Sequence, residues 1–376
     1  MHVQVVDPPA YTPPYDRALC AALARSGAEV ELVTSRFVHG SVPPAEGYRV
    51  NEAFYRRSAG REASARGRRA LKLAEHVADM LRYRADGARA DLVHYQWLPV
   101  PALDSLLLPP VRPRVLTAHG VLRQEAWRER PGRGLRRLLE LMDAVVTLSE
   151  YGARRLRDDA GIDPGKVRVI PHGALDYLTR LPDEVPLPDD LAAVEDPVIL
   201  CFGLIRPYKG VDVLLEAFRS LEGAELWILG RPLGMSLEPL RALAARAPGR
   251  VRILPRFVPD RELPAYFRRA DLVVLPHRDA EQSGVLYVAL AFGKPIVMSD
   301  VGGFGEVAER GVGRTVPPGD PAALAAALGD LLADRDARER LSAAAAAAAA
   351  AAGPYSWDAV AAETLSLYDD LLGGRP

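Results

Sequence analysis

The sequence predicts an α/β protein made of two doubly wound parallel-sheet domains in series. Apolar, strand-like runs alternate with amphipathic, helix-like stretches along each half of the 376-residue chain, and this alternation is typical of parallel sheets with helices on both faces. Between residues 180 and 196 the chain is rich in Pro, Asp and Glu without periodicity, as in a linker. At roughly 150 residues per domain, the length also fits two domains.

The first series is expected to form a domain over residues 1–178. Its strands are predicted at 2–6, 29–33, 91–95, 114–117 and 144–148, with a last element at 166–170. Its helices are predicted at 16–25, 63–84 and 151–159. Each strand is short and apolar, whereas each helix has apolar residues at helical spacing.

The second series is expected to form a domain over residues 179–355. Its strands are predicted at 198–202, 225–229, 251–254 and 272–275, followed by a strand that starts at Ile296 and ends in a glycine turn. Its helices are predicted at 211–220, 237–247 and 262–269, with a further apolar helix opened by residues 282–284. A final helix at 356–372 has Trp357, Val360 and Tyr368 at helical spacing. A cleft between two such domains would favour a small-ligand site.

Composition excludes several classes of protein. The formal net charge is −1, which argues against a nucleic-acid partner. The two cysteines, Cys20 and Cys201, lie in apolar segments and are predicted to be buried free thiols. The chain shows no signal-peptide pattern and no run of about 18 apolar residues, and the alanines at 343–352 read as a plain helix. We therefore expect a cytoplasmic protein.

An arginine-rich segment between residues 55 and 89 leaves one alternative open. It is either a solvated helix face with a mobile loop, or a patch that attracts an anionic acceptor or membrane surface. The second interpretation would place the protein peripherally at the inner face of the membrane, with Arg66, Arg68 and Arg69 as the contacts.

Two loops of the second domain predict an anion site. The stretch 270–306 places Gln282, Ser283 and Gly284 at the start of a helix that follows a buried strand. Such a helix offers unpaired N–H groups and the positive end of its dipole, and loops at strand carboxyl ends bind ligands in open parallel sheets. Arg206 and Lys209 follow another strand end, and two cations there suit a diphosphate.

The first domain offers histidines at strand ends. His119 follows the strand at 114–117 and is the candidate that would face the cleft, although a structural role is the common fate of a lone histidine. His94 has the same position one strand earlier, and His172 is expected to be structural. No constellation is visible around the other histidines, which are His2, His39, His76 and His277.

The sequence contains no motif of several other enzyme classes. The loop after the first strand is DPPAYTPPYD, not GxGxxG, so a nicotinamide enzyme is not expected, and no GxxxxGK[ST] or GxSxG occurs. No His or Cys spacing indicates zinc, and Asp334 with Asp336 lies in a charged helical tail away from any strand end. We expect neither a cofactor nor a metal.

The combined motifs resemble the GT-B nucleotide-sugar glycosyltransferases of the retaining class called glycosyl transferases group 1, or family 4. The resemblance covers nearly the whole chain and is carried by FGLIRPYKGVDVLLEAF, by the stretch 270–306, by VTLSEYGARRL, by VIPHG and by YSWDAVAAETLSLY. It implies two Rossmann-like domains that face a cleft. The C-terminal domain would bind the donor, the N-terminal domain would bind the acceptor, and helix 356–372 would pack back on the N-terminal domain.

The resemblance also implies site residues. Lys209 matches the lysine that contacts the donor diphosphate, and His119 matches the histidine that contacts the transferred sugar. The backbone of Ser283, Gly284 and Val285 matches the loop that holds sugar and phosphate. A further match, to a family glutamate near the donor, is Glu306.

The chain departs from the family pattern at three places. Leu204 stands where the family has an arginine, with Arg206 as the nearest replacement. The first of two family glutamates is matched by Glu281, or its sugar contact is made by Gln282. The second, which binds the ribose in the family, falls on Val288 or Ala289. The glycine-rich loop after the first strand is replaced by residues 8–14, which are rich in proline.

The implied function is metal-independent transfer of a sugar, with retention, from a nucleoside-diphosphate sugar to an acceptor hydroxyl. UDP- and GDP-sugars are the expected donors, and a glycan, a glycolipid or a natural product is the expected acceptor. Two alternatives stay open from the sequence: a non-catalytic GT-B protein that binds a nucleotide sugar, and a GT-B sugar-nucleotide epimerase.

Overall fold

The computed structural model describes the chain except for residues 39, 41, 60–64, 87–88, 121–131 and 375–376. The chain forms two compact units. The first comprises Met1–Gly173 and Trp357–Pro376, and the second comprises Ala174–Ser356. Each unit has an open, all-parallel sheet, as the alternating sequence pattern predicts.

The first unit has a sheet of seven strands in the described residues, in the order β3-β2-β1-β4-β5-β6-β7. The strands are β1 (His2–Asp7), β2 (Glu29–Ser35), β3 (Arg49–Phe54), β4 (Leu92–Tyr95), β5 (Arg114–Thr117), β6 (Ala144–Thr147) and β7 (Val167–Val169). The helices are α1 (Pro13–Arg25), α2 (Ala65–Asp86), α3 (Pro101–Leu107), α4 (Arg133–Glu140) and α5 (Glu150–Asp158). The strand order reverses between β1 and β4, so their carboxyl ends flank a topological switch point, where such sheets bind ligands.

The second unit has a sheet of six strands in its described part, in the order β10-β9-β8-β11-β12-β13. The strands are β8 (Val198–Phe202), β9 (Glu225–Leu229), β10 (Val251–Leu254), β11 (Leu272–Leu275), β12 (Ile296–Ser299) and β13 (Arg314–Val316). The helices are α6 (Asp189–Ala192), α7 (Val211–Phe218), α8 (Glu238–Ala244), α9 (Leu263–Arg269), α10 (Gly284–Ala291), α11 (Phe304–Glu309), α12 (Pro321–Ala333) and α13 (Arg335–Ala349). Here β8 and β11 flank the switch point.

The units divide after Gly173 and not after residue 178, because the short helical turn Asp176–Arg180 already packs in the second unit. Leu178 is buried in the core that includes Tyr287, and the Leu175 N–H donates to the Tyr287 carbonyl. At its other end, the second unit extends to Ser356.

The last helix, α14 (Trp357–Gly373), belongs to the first unit and packs against α1. The Tyr368 hydroxyl lies 2.6 Å from Nδ1 of His94 on β4, which ties the helix to the sheet. A Cβ built on Gly173 would lie 2.5 Å from the Trp357 ring, so glycine is needed where the helix begins.

The alanines up to Ala349 form the second half of α13, and the last three alanines of the run follow the end of the helix. The N-terminus of α13 is capped by the Asp334 carboxylate, which accepts from the Ala337 N–H. Ala345 and Ala348 are buried against the core that contains α10, so the small side chains allow two helices to approach closely. In the described part of the chain, no helix is both long and apolar enough to cross a membrane. Residues 60–64 and the side chains of Arg66, Arg68 and Arg69 lie outside the described residues.

Gly210 fixes the approach of two loops of the second unit. It has φ +65°, and a Cβ there would lie 1.8 Å from the Pro276 carbonyl oxygen. Gly223 has nearly the same φ, +66°, but no atom within 4 Å of a built Cβ. Substitution at Gly223 therefore tests the cost of the left-handed conformation alone, whereas substitution at Gly210 tests that cost together with a steric clash.

Replacing Gly223 with Ala should cost about 1 kcal/mol of unfolding free energy, from left-handed strain alone. Gly210→Ala should cost clearly more, because backbone must shift at a site with no free space. Urea unfolding of both variants, followed by far-UV circular dichroism, measures the difference. Equal losses would mean that the contact with Pro276 adds no constraint.

Candidate active site

The loop after β8 places Lys209 and Arg206 at the switch point of the second sheet. Residues Pro207–Lys209 form one helical turn, and Gly210 follows in the left-handed conformation that starts α7. A Cβ on Gly203 would lie 3.3 Å from Cγ2 of Val285, so the end of β8 lies against the start of α10. The two sequence-predicted loops are therefore neighbours in space.

Lys209 is partly buried, and its Nζ lies 2.7 Å from Nε2 of His277. Burial lowers the pKa of Lys209 to about 8; the Cys201 thiol opposes this shift and the Arg206 charge adds to it. Burial, with the charge of Lys209 next to it, also lowers the pKa of His277 well below its ordinary value. At neutral pH the pair is thus a charged lysine against a neutral imidazole.

Arg206 has no ion pair in the described structure, and its Nε is buried without a hydrogen-bond partner there. The neighbouring Arg278 is paired, because its two terminal guanidinium nitrogens each lie 2.6 Å from a carboxylate oxygen of Asp212. The backbone N–H of Arg278 also donates to the Tyr208 carbonyl at 2.8 Å. One arginine therefore braces the loop while the other remains available to an anion.

The loop from β11 to α10 contains the predicted donor residues. Ser283 occupies the N-cap position of α10, but its side chain accepts no hydrogen bond from the helix. Its Oγ is buried without a partner among the described residues, and Gly284, the first helical residue, is exposed. The first turn of α10 thus presents N–H groups and a buried hydroxyl that a ligand could bind.

The residues on either side of Ser283 hold the loop in shape. Gln282 Oε1 accepts from the Tyr287 hydroxyl at 2.6 Å, while Val285 is buried next to Gly203. The carbonyl of the half-buried Glu281 accepts from the Gly303 N–H at 3.2 Å.

The glycine turn after β12 packs under this loop. A Cβ on Gly302 would lie 1.9 Å from the Ala280 carbonyl oxygen, so the pair Gly302-Gly303 permits the close approach. Glu306 follows in the first turn of α11 and is half-buried.

In the first unit, His119 follows β5 and is half-buried. Its Nε2 donates to Oε1 of Gln96 at 2.7 Å, and its ring stacks on Trp97 at 5.6 Å between centroids. Burial, with His172 and His94 nearby, lowers the pKa of His119 well below its ordinary value. The imidazole is therefore neutral at pH 7, with its proton on Nε2.

The other two histidine candidates of this unit are structural. His94 is buried, with both ring nitrogens hydrogen-bonded, to Tyr368 and to Oγ1 of Thr117 at 2.7 Å. His172 bonds to the Gly173 carbonyl and contacts the rings of Tyr15 and Trp357.

The proline-rich loop after β1 is held by a pair of buried carboxyl groups. Oδ2 of Asp7 accepts from the backbone N–H groups of Tyr11 and Thr12. Thr12 Oγ1 donates to Asp16 and accepts from Trp97 Nε1. Burial raises the pKa of Asp7 to about 6, and burial with the charge of Asp7 raises the pKa of Asp16 well above its ordinary value. Both carboxyl groups therefore hold a proton to higher pH than free aspartic acid does.

The sequence analysis did not identify two residues that contribute to the candidate site. It found no constellation around His277, whereas the structure places His277 against Lys209. It also passed over Arg278, which joins the two loops through Asp212. Both residues directly follow Pro276 at a strand carboxyl end, and that position was the available signal. Within the described residues, no group of three His, Cys, Asp or Glu side chains could hold a metal ion.

Comparisons with known proteins agree with this architecture. Residues 17–174 match the family described as Glycosyltransferase Family 4, and residues 196–334 match Glycosyl transferases group 1. The chain is 31% identical to the D-inositol 3-phosphate glycosyltransferase of Xylanimonas cellulosilytica, over 96% of this chain and 92% of that protein. It is 37% identical to the phosphatidyl-myo-inositol mannosyltransferase of Mycobacterium leprae, over 44% of each chain.

Solved structures show the same fold at lower identity. The sucrose-phosphate synthase of Thermosynechococcus elongatus has a TM-score of 0.76 at 21% identity, covering 100% of both chains. Anabaena Alr3699/HepE in complex with UDP-glucose has a TM-score of 0.70 at 20% identity, covering 98% of this chain and 100% of that chain. The GT-B architecture expected from the sequence is confirmed.

The raised pKa values of Asp7 and Asp16 make the stability of the first unit fall as pH rises. Both carboxyl groups have raised pKa values in the folded state, so the folded protein binds more protons than the unfolded chain above about pH 4. Stability is therefore lost as pH rises from about 4 through the folded-state values. Asp16→Asn removes one ionising group and should reduce the loss between pH 5 and pH 8.

Urea unfolding at several pH values measures this effect. Asp358→Asn, which changes an exposed carboxylate of the same unit, is the matched control and should follow the wild type. If Asp16→Asn also follows the wild type over this range, the ionisation of Asp16 does not contribute to the loss of stability.

Proposed function

This chain belongs to the group 1 and family 4 glycosyltransferases, and we propose that it transfers a sugar from a nucleoside-diphosphate sugar to an acceptor hydroxyl with retention. In this proposal the second unit binds the donor, and His119 stays the candidate for the contact with the transferred sugar. The acceptor hydroxyl belongs to a glycan, a glycolipid or a natural product. The name of one relative specifies D-inositol 3-phosphate, so phosphorylated polyols belong in the acceptor screen.

The observation that carries the proposal is a set of cations without anionic partners beside an uncapped helix. Lys209 has a neutral imidazole as its partner, and Arg206 has no ion pair in the described structure. The buried Ser283 hydroxyl and the first turn of α10 lie at the adjacent strand end. Positive charge and unused donors at one strand edge suit the diphosphate of a donor.

The proposed reaction needs no enzyme carboxylate as nucleophile. The bond from the anomeric carbon to the leaving phosphate oxygen breaks, and the acceptor oxygen bonds to the same face of that carbon. The acceptor proton passes to the leaving phosphate. Arg206, Lys209 and the N-terminus of α10 stabilise the negative charge that develops on the phosphate, which is electrostatic catalysis by preorganised groups. Since these groups neutralise the charge, the proposal includes metal independence.

The donor base is proposed to be uracil or guanine. One structural neighbour was solved with UDP-glucose, which supports a UDP-sugar; GDP-sugars are tested beside it. A thermal-shift screen of UDP-, GDP-, ADP- and TDP-sugars separates the candidates, because a ligand at a hundredfold excess over its Kd stabilises the native state by about 2.7 kcal/mol.

Loss of the lysine charge should affect turnover far more than folding. Lys209→Ala should lower kcat by about 100-fold or more, and Arg206→Ala should lower it in the same direction. The control for loss of charge is Arg246→Ala, because Arg246 is an exposed arginine of the same unit and has no ion pair in the described structure. Initial rates of transfer with the donor found in the screen measure the effect, and unchanged rates in Lys209→Ala would refute the donor site.

Retention is tested on the product itself. The anomeric configuration of the new bond, read from the one-bond C–H coupling of a labelled sugar, should equal that of the donor, and EDTA should not reduce the rate. Inversion would contradict the proposed route, and a strict requirement for added Mg²⁺ or Mn²⁺ would contradict metal independence. An isomerised donor formed without acceptor would indicate an epimerase.

A further inference from the structure

His277 is the side chain that contacts the proposed phosphate-binding lysine. It is the second residue after β11 and is only 2% exposed. Its Nε2 lies 2.7 Å from Nζ of Lys209. An ammonium group has donors only, so Nε2 is the acceptor and the imidazole has its proton on Nδ1.

His277, the hydrogen-bond partner of Lys209, is uncharged at neutral pH. Ammonium groups in proteins are commonly paired with carboxylates, and a carboxylate would cancel the charge that an anionic ligand needs. In the described structure Lys209 has no such partner. The ionisable groups that face it are the Cys201 thiol, the Arg206 guanidinium and His277, with the Tyr208 ring 5.6 Å away. A neutral imidazole can orient the ammonium while leaving its positive charge intact.

The position of the imidazole is set by its surroundings. Its ring packs against Phe304 at 5.3 Å and Tyr208 at 6.3 Å between centroids. The contact of Gly210 with the Pro276 carbonyl and the pairing of Arg278 with Asp212 hold the two loops together. The hydrogen bond from Lys209 therefore joins two backbones that are already fixed.

We propose that His277 is the positioning residue for Lys209: its neutral Nε2 accepts one N–H of the ammonium and directs the remaining two toward a phosphate of the donor. The inference rests on the proposed function for the identity of the ligand. The contact itself is a property of the unliganded protein and can be tested without any transfer reaction.

The hydrogen bond between Lys209 and His277 needs a protonated lysine and a neutral imidazole, and this combination exists only over a limited pH range. Above about pH 8 Lys209 loses its proton, and at low pH a protonated His277 can no longer accept. A bound diphosphate favours the charged lysine and raises its pKa, so binding near pH 8 should take up about half a proton per ligand, whereas binding at pH 7 should take up little.

Two variants separate the hydrogen bond from the packing. His277→Gln retains an acceptor near the position of Nε2, whereas His277→Phe retains an aromatic ring between Phe304 and Tyr208 without an acceptor. The first readout is the pH midpoint of Lys209 acetylation in the unliganded full-length chain, measured by competitive labelling and mass spectrometry. The second is calorimetric binding of UDP and GDP in Tris and in HEPES, which reports affinity and proton uptake.

The wild type should label with a midpoint near pH 8. In His277→Phe the charged lysine loses its acceptor, so the midpoint should fall and nucleotide affinity should drop by about 10-fold or more. His277→Gln should keep the midpoint and stay within about threefold of the wild-type affinity. Unfolding midpoints of all three proteins control for folding.

Three results would overturn the proposal. One is a labelling midpoint and an affinity in His277→Phe equal to those of the wild type. The second is an equal loss in both variants with unchanged unfolding, which would assign the effect to packing. The third is no nucleotide binding by the wild type, which refutes the donor site and the role toward phosphate. In that case a midpoint shift confined to His277→Phe would still show that His277 orients Lys209.

Discussion

The close approach of Gly210 to the Pro276 carbonyl is the constraint on which the site in the second unit depends. A residue with a Cβ cannot occupy that position without moving the backbone, so the loop after β8 and the end of β11 meet only because the chain has glycine there. The left-handed turn at Gly210 also ends the helical turn that presents Lys209. One backbone position thereby brings together a lysine and a histidine that are 68 residues apart in sequence.

The three cations of these two loops have two different roles. Asp212 binds Arg278 at its two terminal guanidinium nitrogens, so the charge of Arg278 is compensated and its contribution is geometric. Arg206 and Lys209 have no carboxylate partner in the described structure. Burying an uncompensated charge costs free energy, and the pKa of Lys209, lowered mainly by burial and further by the charge of Arg206, reflects that cost. Uncompensated charge at a strand edge is favourable only in the presence of an anion, which is why it carries the functional proposal.

The sequence predicted the central strands well and missed two edge strands. The central strands expected at 198–202, 225–229 and 272–275 have those bounds in the structure, because central parallel strands are continuous apolar runs. The edge strand expected at 251–254 also has its predicted bounds. The edge strands β3 and β13 were missed, since half-exposed strands such as Arg49–Phe54 lack an apolar run. His277 could be found at a strand end, but its contact with Lys209 depends on a crossover that no local pattern shows.

The missing family carboxylate has a packing explanation. Val288 and Ala289, the two positions on which it would fall, are 3% and 0% exposed in α10 and belong to the core that includes Ala345 of α13. A carboxylate there would be buried among apolar side chains, at a cost of several kcal/mol. The apolar residues allow α10 to pack closely against the alanine face of α13. Under the proposed function, the carboxyl and amide groups left for the ribose are those of Glu281 and Gln282, which are both half-buried in the loop before the helix.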